Sequence, residues 1–138
     1  MRRAILTLAT LGIIGSAGGA GNPGNVIAQV PPFKRIVLQQ ADISVPGHEV
    51  VSAVAEFQPG ASPGRHTHFG EEIGYVLEGT VSLEQQGKPT VTLGAGQSFL
   101  IPAGTIHNAT NNGAGVARLL ATYIVEKGKP LATPAPAR

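Results

Sequence analysis

Glycine and proline punctuate this chain at short intervals, and that spacing limits its fold more than any other feature. The 138 residues include 19 Gly and 11 Pro. Turn signals fall at Val45-Pro46-Gly47, Pro59-Gly60, Glu78-Gly79, Gln86-Gly87-Lys88, Gly94-Ala95-Gly96 and Asn111-Asn112-Gly113. Between them lie short runs suited to extended chain: Phe33 to Gln39, Val50 to Phe57, Tyr75 to Leu77, Thr80 to Glu84, Thr90 to Leu93, Gln97 to Ile101 and Ala117 to Val125. The second run alternates, with Val51, Ala53, Ala55 and Phe57 on one face and Ser52 and Glu56 on the other. Past residue 28 no stretch keeps a helical period. Many short strands between frequent turns predict an all-β sandwich or barrel.

The chemistry concentrates in two blocks. One reads Gly60-Ala-Ser-Pro-Gly-Arg-His66-Thr-His68-Phe-Gly-Glu71-Glu72 and runs on to Gly79. The other reads Gly96-Gln-Ser-Phe-Leu-Ile-Pro102-Ala-Gly104-Thr-Ile-His107-Asn-Ala-Thr-Asn111. His66, His68 and Glu72 share a parity, so an extended chain projects them to one side, with Glu71 on the other. His107 arrives from a separate strand. Three imidazole nitrogens and one carboxylate oxygen suit a divalent transition metal, and an ion that prefers five or six ligands keeps positions open. Iron, manganese, nickel, copper, cobalt and zinc all accept such a set. Gly60 and Gly64 bracket Pro63 just ahead of the first ligands, and Pro102-Ala-Gly104 precedes the last. Glycine permits tight turns and proline stiffens them, so each ligand leaves a constrained loop.

These blocks resemble the two signature motifs of the cupin superfamily. The first motif is Gly, five residues, His-x-His, three or four residues, Glu, six residues, Gly. Gly60, His66, His68, Glu72 and Gly79 fill it. The second is Gly, five residues, Pro-x-Gly, two residues, His, three residues, Asn, filled by Gly96, Pro102, Gly104, His107 and Asn111. The resemblance implies an antiparallel double-stranded β-helix, or jelly-roll barrel, with the metal inside and a homodimer as the assembly. It does not imply one reaction, because cupins include dioxygenases, isomerases, lyases, decarboxylases, storage proteins and sensors.

The ends bound the domain. Met1-Arg2-Arg3, the apolar stretch Ala4 to Ile14 and the small residues that follow read as a signal peptide. Cleavage fits after Ala20 or Ala28, with Ala28 favoured. The protein is then expected to be periplasmic or secreted, without a membrane span once processed. Arg2-Arg3 also allows a loose match to the twin-arginine signal, a route that exports folded protein. The expected division is a signal peptide over 1–28, a barrel domain over 29–126 and a flexible Pro/Ala-rich tail over 127–138. A mature chain of roughly 110 residues makes one domain. Without cysteine there is no disulfide, zinc-thiolate site or thiol nucleophile. The formal charge of +2 comes from Arg2 and Arg3, so the remainder balances eight basic against eight acidic residues. No basic patch marks a nucleic-acid partner. A small-molecule substrate or ligand is expected instead.

Other polar residues read as ordinary. His48, beside Glu49 in a turn-like stretch, is not expected to ligate. Glu71 is expected in solvent or behind a ligating histidine. Asn111 reads as a turn residue, Arg65 as an exposed charge, and Tyr75 and Tyr123 as packing. Phe57, Phe99 and Ile101 are expected in an apolar pocket wall. The leading functional expectation is a metal-dependent enzyme acting on a small organic molecule, with Glu72 as ligand or as a base released when substrate arrives. Dioxygenase chemistry leads, with a lyase or isomerase close behind. The alternative is a non-catalytic periplasmic module that binds metal or a small ligand.

Overall fold

The structure is a computed structural model that describes residues 32–136. The expected signal peptide, with both cleavage sites, lies outside the described residues. The strands are β1 (Phe33–Asp42), β2 (His48–Phe57), β3 (His66–Thr67), β4 (Gly70–Glu78), β5 (Thr80–Gln85), β6 (Val91–Gly94), β7 (Ser98–Ile101), β8 (His107–Thr110), β9 (Ala117–Glu126) and β10 (Thr133–Pro134). They form two five-stranded sheets, ordered β1-β2-β9-β4-β7 and β10-β3-β8-β5-β6. Every pairing is antiparallel. The described residues contain no helix. This is the all-β jelly-roll barrel that the turn spacing and the motifs predict.

Alternation makes the interior. Along β2 the buried residues are Val51, Ala53, Ala55 and Phe57, and along β9 they are Ala117, Leu119, Ala121, Tyr123 and Val125. Strand β9 pairs with β2 on one side and β4 on the other, so its inner residues form the spine of the first sheet. Val81 and Leu83 of β5 and Ala109 of β8 face them from the second sheet. One core cluster gathers around Phe57, Val76, Val81, Leu83, Ile101 and Leu119. A smaller one holds Val51, Ala53, Ala121, Tyr123 and Val125. Several inner positions are only Ala or Gly, which leaves interior volume for polar groups.

Gly74 shows how that volume is shaped. It faces inward on β4 opposite Phe99 of β7. A Cβ there would lie 2.1 Å from the Phe99 ring. Only glycine lets the ring lie across the strand.

Two short elements and half of another depart from the sequence expectation. β3 and β10, and the Gly70–Gly74 start of β4, lie where turn residues and histidines hide any apolar alternation, whereas β8 is the separate strand expected to bring His107. The segment after β9, expected as a flexible tail, is bonded back to the barrel. Lys127 donates its amide to the Gly47 carbonyl, and Ala135 donates to Arg65. Thr133 and Pro134 pair with Thr67 and His66, and Leu131 packs on the smaller core cluster. Its composition suggested a loose end, but these long-range contacts come from barrel residues far away in sequence.

Candidate metal centre

The two motifs meet across the second sheet. His66 on β3 pairs directly with His107 on β8, and their ring centroids lie 4.3 Å apart. His68 follows two residues after His66. Glu72, the third residue of β4, enters from the opposite sheet, where it pairs with Tyr123 and Ile101. All four are buried, and one ligand atom from each lies within 4.8 Å of the others. The parity expected of His66, His68 and Glu72 is the parity observed, and Glu71 is exposed.

Backbone carbonyls set the histidine tautomers. Nδ1 of His66 donates to the Gly64 carbonyl at 2.7 Å, and Nδ1 of His107 donates to that of Thr105 at 2.9 Å. Nδ1 of His68 donates to the Leu131 carbonyl. A carbonyl brings only lone pairs, so each Nδ1 must carry the proton. A neutral ring then presents a bare Nε2. The turn at Gly64, with φ of 84°, aims one of these carbonyls back at its histidine. Left-handed backbone of this kind is costly for other residues.

The bare nitrogens face a carboxylate. Nε2 of His68 lies 2.9 Å from Glu72 Oε2, and Nε2 of His107 lies 3.1 Å from the same oxygen. Lone pairs confronting an anionic oxygen repel unless a cation joins them. Burial, first, and then the neighbouring His107 and His68 push His66 down to about 4, against the pull of the Gly64 carbonyl and Glu72, so that ring is neutral at neutral pH. Burial pushes Glu72 up, but the adjoining side chains of His107 and His68 outweigh it and hold the carboxyl down at about 2. The acid is therefore an anion at neutral pH. A divalent ion satisfies the whole set at once. Separations of 2.9 and 3.1 Å suit neighbouring ligands on an ion with bonds of about 2.1 Å. The donor set fits the metal that the motifs imply.

A narrow pocket opens onto the centre, lined by His66, Glu72 and His107 together with Phe33, Arg35, Phe57, Phe99 and Tyr123, among others. Tyr123 is buried, with its ring edge-on to His68 at 4.8 Å. Burial, reinforced by the Glu72 carboxylate and opposed by Arg35, raises its phenol to about 12. It keeps its proton at neutral pH.

The remaining residues sort clearly. His48 sits away from the ligand group and bonds the Pro46 carbonyl. Asn111 is fully buried, donates to the Phe57 and Gly115 carbonyls and accepts from the Gly113 amide. It staples the loop rather than serving the metal. Arg65 donates to the Pro136 carbonyl. Phe57 and Phe99 line the pocket as expected, whereas Ile101 belongs to the core cluster. Tyr75 is exposed on the outer face. Arg35 is the pocket residue that sequence reasoning passed over, and it made Tyr123 only a packing group. Their signal was weak: each shares parity with an apolar neighbour, Phe33 or Ala121.

Comparison with known proteins agrees with this geometry. The family described as "Cupin domain" matches residues 53–123. Over 79 residues the chain is 38% identical to the HTH-type transcriptional regulator PuuR of Escherichia coli, covering 56% of this chain and 42% of the regulator. The chain thus spans less than half of that relative. Among solved structures it resembles a cupin superfamily protein of Desulfitobacterium hafniense, with a TM-score of 0.59 and 20% identity, covering 72% of this chain and 83% of the other. The DMSP lyase DddQ of Ruegeria pomeroyi gives a TM-score of 0.63 and 21% identity, covering 75% and 52%. At such identities the structural likeness is one of fold.

Proposed function

This chain belongs to the cupin family, and from that premise we propose that it is a metal-dependent enzyme acting on a small organic molecule. The observation that carries the reading is the convergence of the His68 and His107 Nε2 atoms, with His66 alongside, on an anionic Glu72 at the wall of a pocket. A metal site meant only for stability is usually closed by its protein ligands, whereas a catalytic one keeps a side accessible. His66, His68, Glu72 and His107 would hold the ion. When bound, it would supply Lewis-acid polarisation of substrate oxygens or, if redox-active, electrons for reaction with dioxygen.

The protein's own groups have separable tasks. Carbonyls of Gly64, Thr105 and Leu131 keep the three rings in one orientation. Tyr123, protonated at neutral pH, is positioned to donate a hydrogen bond into the pocket rather than to remove a proton. Phe57, Phe99, Leu83 and Leu119 keep bulk water from the reacting groups. Glu72 is the sole acidic residue among the pocket's lining, so it is our choice for any base role. Dioxygenase chemistry is the reaction type we put first. The DMSP lyase, similar in fold, makes a lyase the next choice.

The test is elemental analysis of protein purified without added metal, followed by an oxygen-uptake screen. Stoichiometric iron or copper with substrate-dependent uptake supports the dioxygenase. Stoichiometric metal with turnover but no uptake moves the assignment to a lyase or isomerase. Metal bound without turnover of any substrate favours a binding module, a reading to which the likeness to a regulator gives some support. No metal, even on titration, overturns the proposal. We propose further that the protein is exported and works as a homodimer. Ile73, Tyr75, Leu77 and Leu100 stand exposed on the first sheet's outer face and support the dimer; light scattering on purified protein tests it.

A further inference from the structure

Lys34 and Arg35 are sequence neighbours with opposite fates. Lys34 pairs with Glu56, turns to the outer face of the sheet, and meets that carboxylate at 2.9 Å. Arg35 pairs with Ala55 and turns inward with Phe33, which pairs with Phe57. There its guanidinium lies 5.6 Å from the Phe33 ring centroid and 5.5 Å from that of Tyr123. The rings hold the cation by their faces. Among the described residues no carboxylate forms an ion pair with Arg35. Its Nε is buried without a hydrogen-bond partner. A positive group held in place with an orphaned donor is poised to receive something from the pocket.

We infer that Arg35 is a specificity-determining residue that selects a small carboxylate as the pocket's ligand. The inference rests on the metal-enzyme reading, since the same pocket wall carries His66, Glu72 and His107. Charge points the same way. Glu72 is the only acid lining the pocket, and a divalent ion at the centre leaves the cavity net positive with Arg35. A second cavity shares Arg35 and His66 with this one and adds Arg65, so the approach is positive as well. The planar guanidinium fork matches a planar carboxylate in two parallel hydrogen bonds. The close walls of Phe33, Phe57 and Phe99 limit the ligand to a small organic acid.

Calorimetric titration of the metal-loaded protein with acetate, succinate and benzoate, and with their neutral amides, tests this. Carboxylates should bind and the amides should not. Arg35→Leu should weaken carboxylate binding by roughly 30-fold or more, Arg35→Lys should restore part of it, and metal content should stay at the wild-type value. Thermal melts confirm that each variant is folded; if the leucine variant is not, the lysine variant and the acid-versus-amide contrast decide. Equal binding of acids and amides overturns the inference, as does wild-type carboxylate affinity in folded Arg35→Leu. Inorganic phosphate binding more tightly than any carboxylate also overturns it, in favour of a general oxyanion site. The same titration on protein stripped of metal separates the two claims. Arg35-dependent affinity without metal supports this inference whatever the metal analysis returns, and metal uptake without carboxylate binding leaves the centre standing and removes Arg35's role.

Discussion

Two regions of one barrel interior follow the same alternation and carry opposite chemistry. Around Phe57, Val76, Val81, Ile101 and Leu119 the core is apolar, and burial holds the sheets together. Elsewhere in the same interior, the inward positions are His66, His68, Glu72 and His107. There each buried polar atom needs a partner. Carbonyls take the Nδ1 protons, and a cation would join the His68 and His107 nitrogens to Glu72. The lesson is that a β-strand assigns facing, not chemistry. A polar group at an inward position is tolerated in proportion to the partners that tertiary structure supplies.

The comparison predicts that the two regions fail differently. His107→Ala should remove a ligand and weaken metal binding by at least about 100-fold, with turnover falling alongside, while the metal-free protein still folds. Metal titration with a melting curve on the apo form checks both halves. Ile101→Ala should do the reverse, destabilising the fold by about 2–5 kcal/mol through an apolar cavity while metal stoichiometry stays at the wild-type value below the melting transition. Chemical denaturation of the two variants side by side is the direct contrast.

Acid should attack the polar region alone. Burial lowers the pKa of His66 from 6.5 to about 4, so the folded apo protein binds fewer protons there than the unfolded chain. Stability from this group is complete above pH 6.5 and is lost as the pH falls towards 4, by roughly 3 kcal/mol. Glu72, lowered from 4.5 to about 2, extends the same trend further into acid. A pH series of apo melting temperatures should therefore decline below about pH 6.5, and Ile101→Ala should shift that curve without changing its shape. The smallest effect belongs to Glu71→Gln. Its side chain is exposed, so stability should move by no more than about 0.5 kcal/mol and metal content not at all. A loss of metal in that variant would mean that Glu71 supports the centre.

Legibility followed the range of the interactions. The buried His/Glu cluster was readable because its spacing and parity are local properties of an extended chain. Strands β2 and β9 were readable because small and apolar side chains alternate along them. β3 and β10 were not, since two residues carry no pattern and exist as strands only through partners distant in sequence. The Pro/Ala-rich segment after β9 looked unattached for the same reason. Its bonds to Gly47, Thr67 and His68 join residues more than 60 positions apart. Arg35 was hidden by apolar Ile36, Val37 and Leu38 after it, which blur alternation in an edge strand.

By itself, then, the sequence determined the all-β class, the four candidate ligands and the glycine-stiffened turns that carry them, because each depends on residue type and short spacing. Only the tertiary structure decided that Leu131 orients His68, that Tyr123 stands against the centre, and that Arg35 rather than Lys34 enters the pocket. Those outcomes depend on strand register. Shifting a pairing by one residue exchanges the two faces of a strand, and register is set by the whole barrel at once.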